Sequence, residues 1–145
     1  MDFVSIDWNL VVQNLIQLGV AFVLALPIAI DREKASRSAG LRTFPLVAVS
    51  ACGYMLVGIS VLDTTDAEAR VLQGLITGIG FIGGGAILKS GGNVSGTATA
   101  ASIWNTGLIG VAVAFHRYEI AILLALINVI TLRFVRRFKE NPEEE

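Results

Sequence analysis

Five apolar stretches of membrane-spanning length run through this chain of 145 residues, at 10–30, 44–62, 71–88, 98–115 and 118–134. None carries a charged side chain in its interior. A helix needs about 20 apolar residues to cross about 30 Å of hydrocarbon. In lipid, each backbone N–H and C=O must find its partner inside the segment, so runs of this kind are expected to be helices. The expected fold is all-α: a polytopic membrane bundle of about five transmembrane helices, forming a single transmembrane domain over 1–145. The first stretch does not read as a cleaved signal peptide, because residues 1–9 hold Asp2 and Asp7 but no Lys or Arg.

Composition narrows the function. Hydrophobic residues make up 54% of the chain, above the roughly 45–50% apolar share of soluble domains. Eleven Lys+Arg balance twelve Asp+Glu, so the net basic face of a nucleic-acid binder is missing. One cysteine, Cys52, and one histidine, His116, leave no internal disulfide and no His- or Cys-based metal cluster. With no carboxylate pair and no Ser/His or Cys/His arrangement, neither a catalytic set nor a cofactor is expected.

Charge placement sets an expected orientation. Residues 31–43 carry Arg32, Lys34, Arg37 and Arg42, the stretch at 89–97 carries Lys89, and the C-terminal end carries Arg133, Arg136, Arg137 and Lys139. These places lie on one side of a five-span chain and hold nine of the eleven basic residues; Arg70 and Arg117 lie on the other. The positive-inside rule then puts the N-terminus outside and the C-terminus in the cytoplasm. Asp2, Asp7, Asp63, Asp66, Glu68 and Glu119 give the outer side an acidic character. The segment 133–139, with Phe134 and Phe138 among its cations, reads as an anchor on anionic membrane lipids.

Local signals mark the boundaries and the candidate sites. Thr65, Asp66, Ala67 and Glu68 read as a capping box opening the third helix. Asp31, Arg32, Glu33 and Lys34 are expected to end the first span, and residues 90–93 (Ser-Gly-Gly-Asn) read as a turn. The third span contains a literal GxGxxG at 78–83, but without a preceding strand this is no dinucleotide fingerprint. Its Gly74/Gly78 and Gly80/Gly84 spacings match GxxxG, which lets helix backbones approach closely. A second reading takes the run Gly83-Gly84-Gly85 as a break in the helix beside a cavity. Thr97, Thr99 and Ser102 open the fourth span with hydroxyls that can cap its first N–H groups or meet a partner, with Trp104 and Asn105 deeper. Asn14, Gln17, Thr77, Thr106 and Asn128 are polar residues expected to face neighbouring helices. Asp31, Arg32, Glu33 and Arg42 form the densest charged cluster, read either as an ion-paired topology anchor or as a recognition patch. Asp31 and Arg42 are expected to act as a pair across the short connecting segment.

Three blocks carry a family resemblance: Asp31-Arg32-Glu33 with Ala39-Gly40-Leu41-Arg42-Thr43, then Gly78 to Gly85, then Thr99-Ala100-Ala101-Ser102-Ile103-Trp104. In this order and spacing, over about residues 25–130, they resemble the MgtC/SapB family. The segment after Val94 departs from the family pattern, with Ser95 at a position that is usually arginine and Ala98 before Thr99. The resemblance implies a bacterial inner-membrane protein tied to magnesium limitation and to survival in a host. It also implies a regulator acting on the membrane sector of the F-type ATP synthase. Family members often carry a soluble C-terminal domain, and none is expected here.

Two function classes stand side by side. One is a small regulatory protein that packs, as a homo-oligomer, against other membrane helices through Gly78, Gly80, Gly84, Thr99, Ser102, Trp104 and Asn105. The other is a transporter or channel for a small ion or solute built around a broken third helix, although no intramembrane Asp, Glu or Lys supplies a proton relay. The orientation is directly testable. A membrane-impermeant thiol reagent on intact cells should label Ser5→Cys and spare Glu143→Cys; equal or reversed labelling would remove the assigned sidedness.

Overall fold

The computed structural model describes residues 6–35, 39–90 and 93–139. Five helices follow in order: α1 Trp8–Ala35, α2 Thr43–Val61, α3 Thr65–Gly85, α4 Thr97–Ala114 and α5 Tyr118–Lys139. Between α3 and α4 lie two three-residue strands, β1 Leu88–Ser90 and β2 Asn93–Ser95, paired antiparallel with Lys89 opposite Val94. Apart from this pair the architecture is helical, as expected for a membrane bundle; of the five helices, three (α1, α2 and α4) are long and apolar enough to cross a membrane.

The helix ends differ from the sequence reading in instructive ways. Asp7, taken as a mark of the outer side, is the cap of α1: its Oδ1 accepts from Asn9 N at 2.9 Å. At its other end α1 runs through the charged residues to Ala35, so the helix outlasts its apolar stretch. The cap of α3 is Thr64, one residue before the expected box. Its extended backbone lets the hydroxyl accept from Ala67 N at 3.2 Å, so no carboxylate occupies the reciprocal place. Span three ends early, at Gly85, where Ala86 N and Ile87 N turn back to Gly83 O and Gly84 O; Leu88, expected in the span, enters the hairpin instead. Of the turn read at 90–93, residues 91–92 lie outside the described residues, and its flanks are the paired strand ends. The glycine run does not break α3, which is continuous to Gly85.

Helix α4 is the centre. It packs against each of the other four helices, most extensively α2. From Gly107 to Ala114 only Leu108 is exposed. Two glycines make this possible. A Cβ on Gly110 would overlap the Ala48 carbonyl of α2, and one on Gly107 would overlap the side chain of Ile79 from α3. Gly83 adds a third close approach, its Cβ position lying 3.1 Å from Ala100 O. Helices in lipid gain little from burying apolar surface, so close backbone approach is what lets them adhere.

The turn from α4 to α5 carries the one positive φ of a non-glycine among the described residues, His116 at 56°. Its N–H bonds Val113 O at 3.0 Å while Arg117 N bonds Ala112 O at 2.8 Å, the paired arrangement of a Schellman motif. The usual occupant of that place is glycine or asparagine.

Gly110→Ala should therefore destabilise the protein by about 1–3 kcal/mol through overpacking. Gly80→Ala, which meets nothing within 4 Å, should be neutral or stabilising by up to about 1 kcal/mol. Thermal unfolding in detergent measures both, and equal effects would refute the assignment of Gly110 to the close contact.

Candidate functional site

The charged cluster is assembled where α1 ends and α2 begins. Arg32 Nη2 donates to Asp31 Oδ2 at 2.7 Å and its Nε donates to the same oxygen at 3.3 Å; both residues are buried. On the other side, Arg133 of α5 brings its Nε to 4.0 Å from Asp31 Oδ1. Glu33 turns toward the connecting segment and accepts from Leu41 N at 2.8 Å. Gly40 lies under that carboxylate, with no room for a Cβ, and Gly40 O accepts from Thr43 N and Phe44 N to start α2. The two halves of the first signature block thus meet through Glu33 and Leu41.

This arrangement replaces the expected Asp31–Arg42 pair. Among the described residues no ion pair joins them; Arg42 is exposed and lines a cavity between α2 and α3. Successive helix positions ordinarily do not face each other, so the Asp31–Arg32 contact could not be read from spacing. A buried ion pair adds little net stability, but removing one partner leaves an uncompensated charge out of water.

A second polar set joins α4 to its neighbours. Ser102 Oγ donates to Asn128 Oδ1 at 3.0 Å, Asn105 Nδ2 donates to Leu124 O at 3.3 Å, and Thr106 Oγ1 donates to Ser102 O at 2.7 Å. From α1, Gln17 Nε2 reaches Val113 O and Ala114 O at 3.2 and 3.3 Å. Gln17 and Asn128 therefore face neighbouring helices as expected. Asn14 and Thr77 do not: both are exposed, and the Thr77 hydroxyl bonds Gln73 O in its own helix. Asn128 Nδ2 has no hydrogen-bond partner among the described residues. Thr99 and Ser102 are buried inside the bundle, which assigns them to internal packing rather than to an outside partner.

The glycines of α3 are placed unexpectedly. Gly74, Gly78, Gly80, Gly84 and Gly85 have nothing within 4 Å of an added Cβ, so among the described residues the GxxxG pairs make no close contact. They divide between two sides of the helix. Gly74 and Gly78 line the cavity with α2, whereas Gly80 and Gly84 fall in register with Gln73 and Thr77 on an exposed stripe. On α4, Trp104 stands 51% exposed. Residues thus available to a partner are Gly80, Gly84, Trp104 and, at the charged end, Arg42. Sequence reasoning missed Arg133, Gly107 and Gly110, whose roles rest on helix pairings that spacing within one segment does not reveal.

The family model described as "MgtC family" matches residues 18–141. An uncharacterized protein of Synechocystis sp. is 38% identical over 136 residues, covering 91% of this chain and 56% of that protein. Protein MgtC of Salmonella typhimurium is 32% identical over 132 residues, 88% of this chain and 56% of its own length. Protein SapB of Bacillus subtilis is 30% identical over 138 residues, 90% of this chain and 60% of its own. The chain thus spans little more than half the length of these curated relatives. No solved structure matches it.

Asp31→Asn should cost about 3–5 kcal/mol, the penalty for breaking a buried pair. Combined with Arg42→Gln its effect should be additive, and combined with Arg133→Gln it should not. Unfolding cycles in detergent check this. A loss of only about 0–1 kcal/mol, typical of an exposed pair, would contradict the buried assignment.

Proposed function

This chain belongs to the MgtC family, and we propose that it is a small regulatory protein of the bacterial inner membrane, acting by helix–helix contact with another membrane protein. The N-terminus lies outside and the C-terminus in the cytoplasm, following the placement of the basic residues. One observation carries the reading: the outer stripe of α3, with Gln73, Thr77, Gly80 and Gly84, is exposed and has no neighbour among the described residues. Gly83, Gly107 and Gly110 each have an internal packing role; Gly80 and Gly84 have none.

Glycine in a helix interior costs about 0.5–1 kcal/mol relative to alanine, and a glycine facing lipid recovers nothing. A partner helix lying along the stripe recovers it through backbone-to-backbone contact, with the Gln73 amide as a polar contact. A second copy of the chain covers such a face in a homo-oligomer, and the regulated protein is a further occupant. The membrane sector of the F-type ATP synthase is the proposed partner, under magnesium limitation and during survival in a host. The glycine run closes α3 at Gly85 rather than interrupting it midway, so α3 itself carries no mid-helix opening of the kind the channel reading describes.

Overexpression should lower ATP-driven proton pumping in inverted membrane vesicles. Gly80→Leu and Gly84→Leu, which meet open space and so leave the fold intact, should restore pumping several-fold toward the level without the protein, as should Trp104→Ala. Unchanged pumping with abundant, correctly inserted protein would exclude this partner.

A further inference from the structure

The cavity between α2 and α3 encloses about 770 Å³ and is apolar along its length but basic at both ends. Arg42 and Thr43 stand at one end and Arg70 at the other, with Leu46, Val47 and Ile82 among the walls. Neither arginine belongs to an ion pair among the described residues. Between Arg70 and Ile82 the α3 wall is about 18 Å long at 1.5 Å per residue. In the orientation proposed above, Arg42 and Arg70 belong to opposite sides of the membrane, so the furrow runs inward from the cytoplasmic face, and its length exceeds the roughly 15 Å that one acyl chain fills. Gly74 and Gly78 recess this wall, since a Cβ at either would meet nothing within 4 Å, and the result is a furrow rather than a flat face.

An apolar furrow under an unpaired guanidinium has the chemistry of an amphiphile with an anionic head. Arginine lays its aliphatic stem on apolar surface, keeps its head in the interface and donates in bidentate fashion to phosphate. We propose that this furrow holds an anionic phospholipid, its phosphate on Arg42 and Thr43 and one acyl chain along Gly74 and Gly78. Arg42 is the headgroup end because the Thr43 hydroxyl stands beside it as a second donor, whereas Arg70 has only Val71 next to it in the lining. A helix from a second copy is the competing occupant. Filling the furrow end to end, it would have to present an acidic side chain to each arginine from one face, whereas a phospholipid places a single anion at one end. This inference uses the α2 side of α3 and stands apart from the stripe at Gly80 and Gly84.

Native mass spectrometry of the full chain, released from vesicles of equal phosphatidylglycerol and phosphatidylcholine, tests it. Wild type should retain phosphatidylglycerol over phosphatidylcholine by about five-fold, the preference expected of one well-placed arginine. Arg42→Gln, an exposed position whose change leaves packing intact, should bring the ratio close to one, and Gly78→Leu should reduce bound lipid of both kinds. Lys89→Gln, a basic residue outside the furrow, should keep the preference. Three results would overturn the proposal: equal retention by wild type, a loss with Lys89→Gln as large as with Arg42→Gln, or a lipid-free dimer that Gly78→Leu separates. The first denies selectivity, the second reduces it to diffuse surface charge, and the third assigns the furrow to a second copy.

Discussion

The contact of Gly110 with the Ala48 carbonyl governs the rest of the bundle. In water, helices adhere by burying apolar surface; in lipid, that gain is largely gone, and what remains is dispersion at close range plus a few hydrogen bonds. With no side chain at Gly110, α2 and α4 approach backbone to backbone. With none at Gly107, Ile79 inserts from α3, and with none at Gly83 that helix also settles near Ala100 O. Once α4 is fixed between α2 and α3, α1 and α5 close the bundle through hydrogen bonds worth about 0.6 kcal/mol each on average in such settings. Gln17 tethers α1 to the end of α4, and Asn128 and Leu124 of α5 meet Ser102 and Asn105. The close contacts place the helices and the polar groups fix their register.

Asp31 and Arg32 extend the same logic to the membrane edge. Two opposite charges side by side can be buried where either alone could not, so Asp31 and Arg32 sit inside the bundle while α1 runs on to the exposed Ala35. Arg133 then links this end to α5, and Glu33 fixes the segment that starts α2. The family signature at residues 31–43 is therefore an architectural joint first. It leaves Arg42 free of that joint and directed at the furrow.

Much of the architecture was legible because lipid imposes strong rules on sequence. Five apolar stretches became five helices, and Gln17 and Asn128 turned inward to partners on α4, although Asn14, one turn from Gln17, did not. What stayed hidden depended on which helices become neighbours. The GxxxG spacings in α3 identified surfaces able to pack closely, yet the pairs within this chain use Gly83, Gly107 and Gly110. Spacing names a face and not its partner. The Asp31–Arg32 pairing was obscured because adjacent helix positions usually diverge, which directed attention across the connecting segment to Arg42. The strands at 88–90 and 93–95 are not legible beyond the turn signal at 90–93, since three-residue strands are too short to show alternation.

A helix that gives one side to the bundle, one to a furrow and one to none of the described residues is built for a neighbour. The most direct measurement is site-specific photocrosslinking in native membranes, with a photoreactive side chain placed along α3. The account predicts adducts to another polypeptide from positions 77, 80 and 84, and only adducts within the chain from position 79, which packs on Gly107. Adducts spread evenly around the helix, or an absence of any intermolecular product from the 77–80–84 stripe, would contradict it.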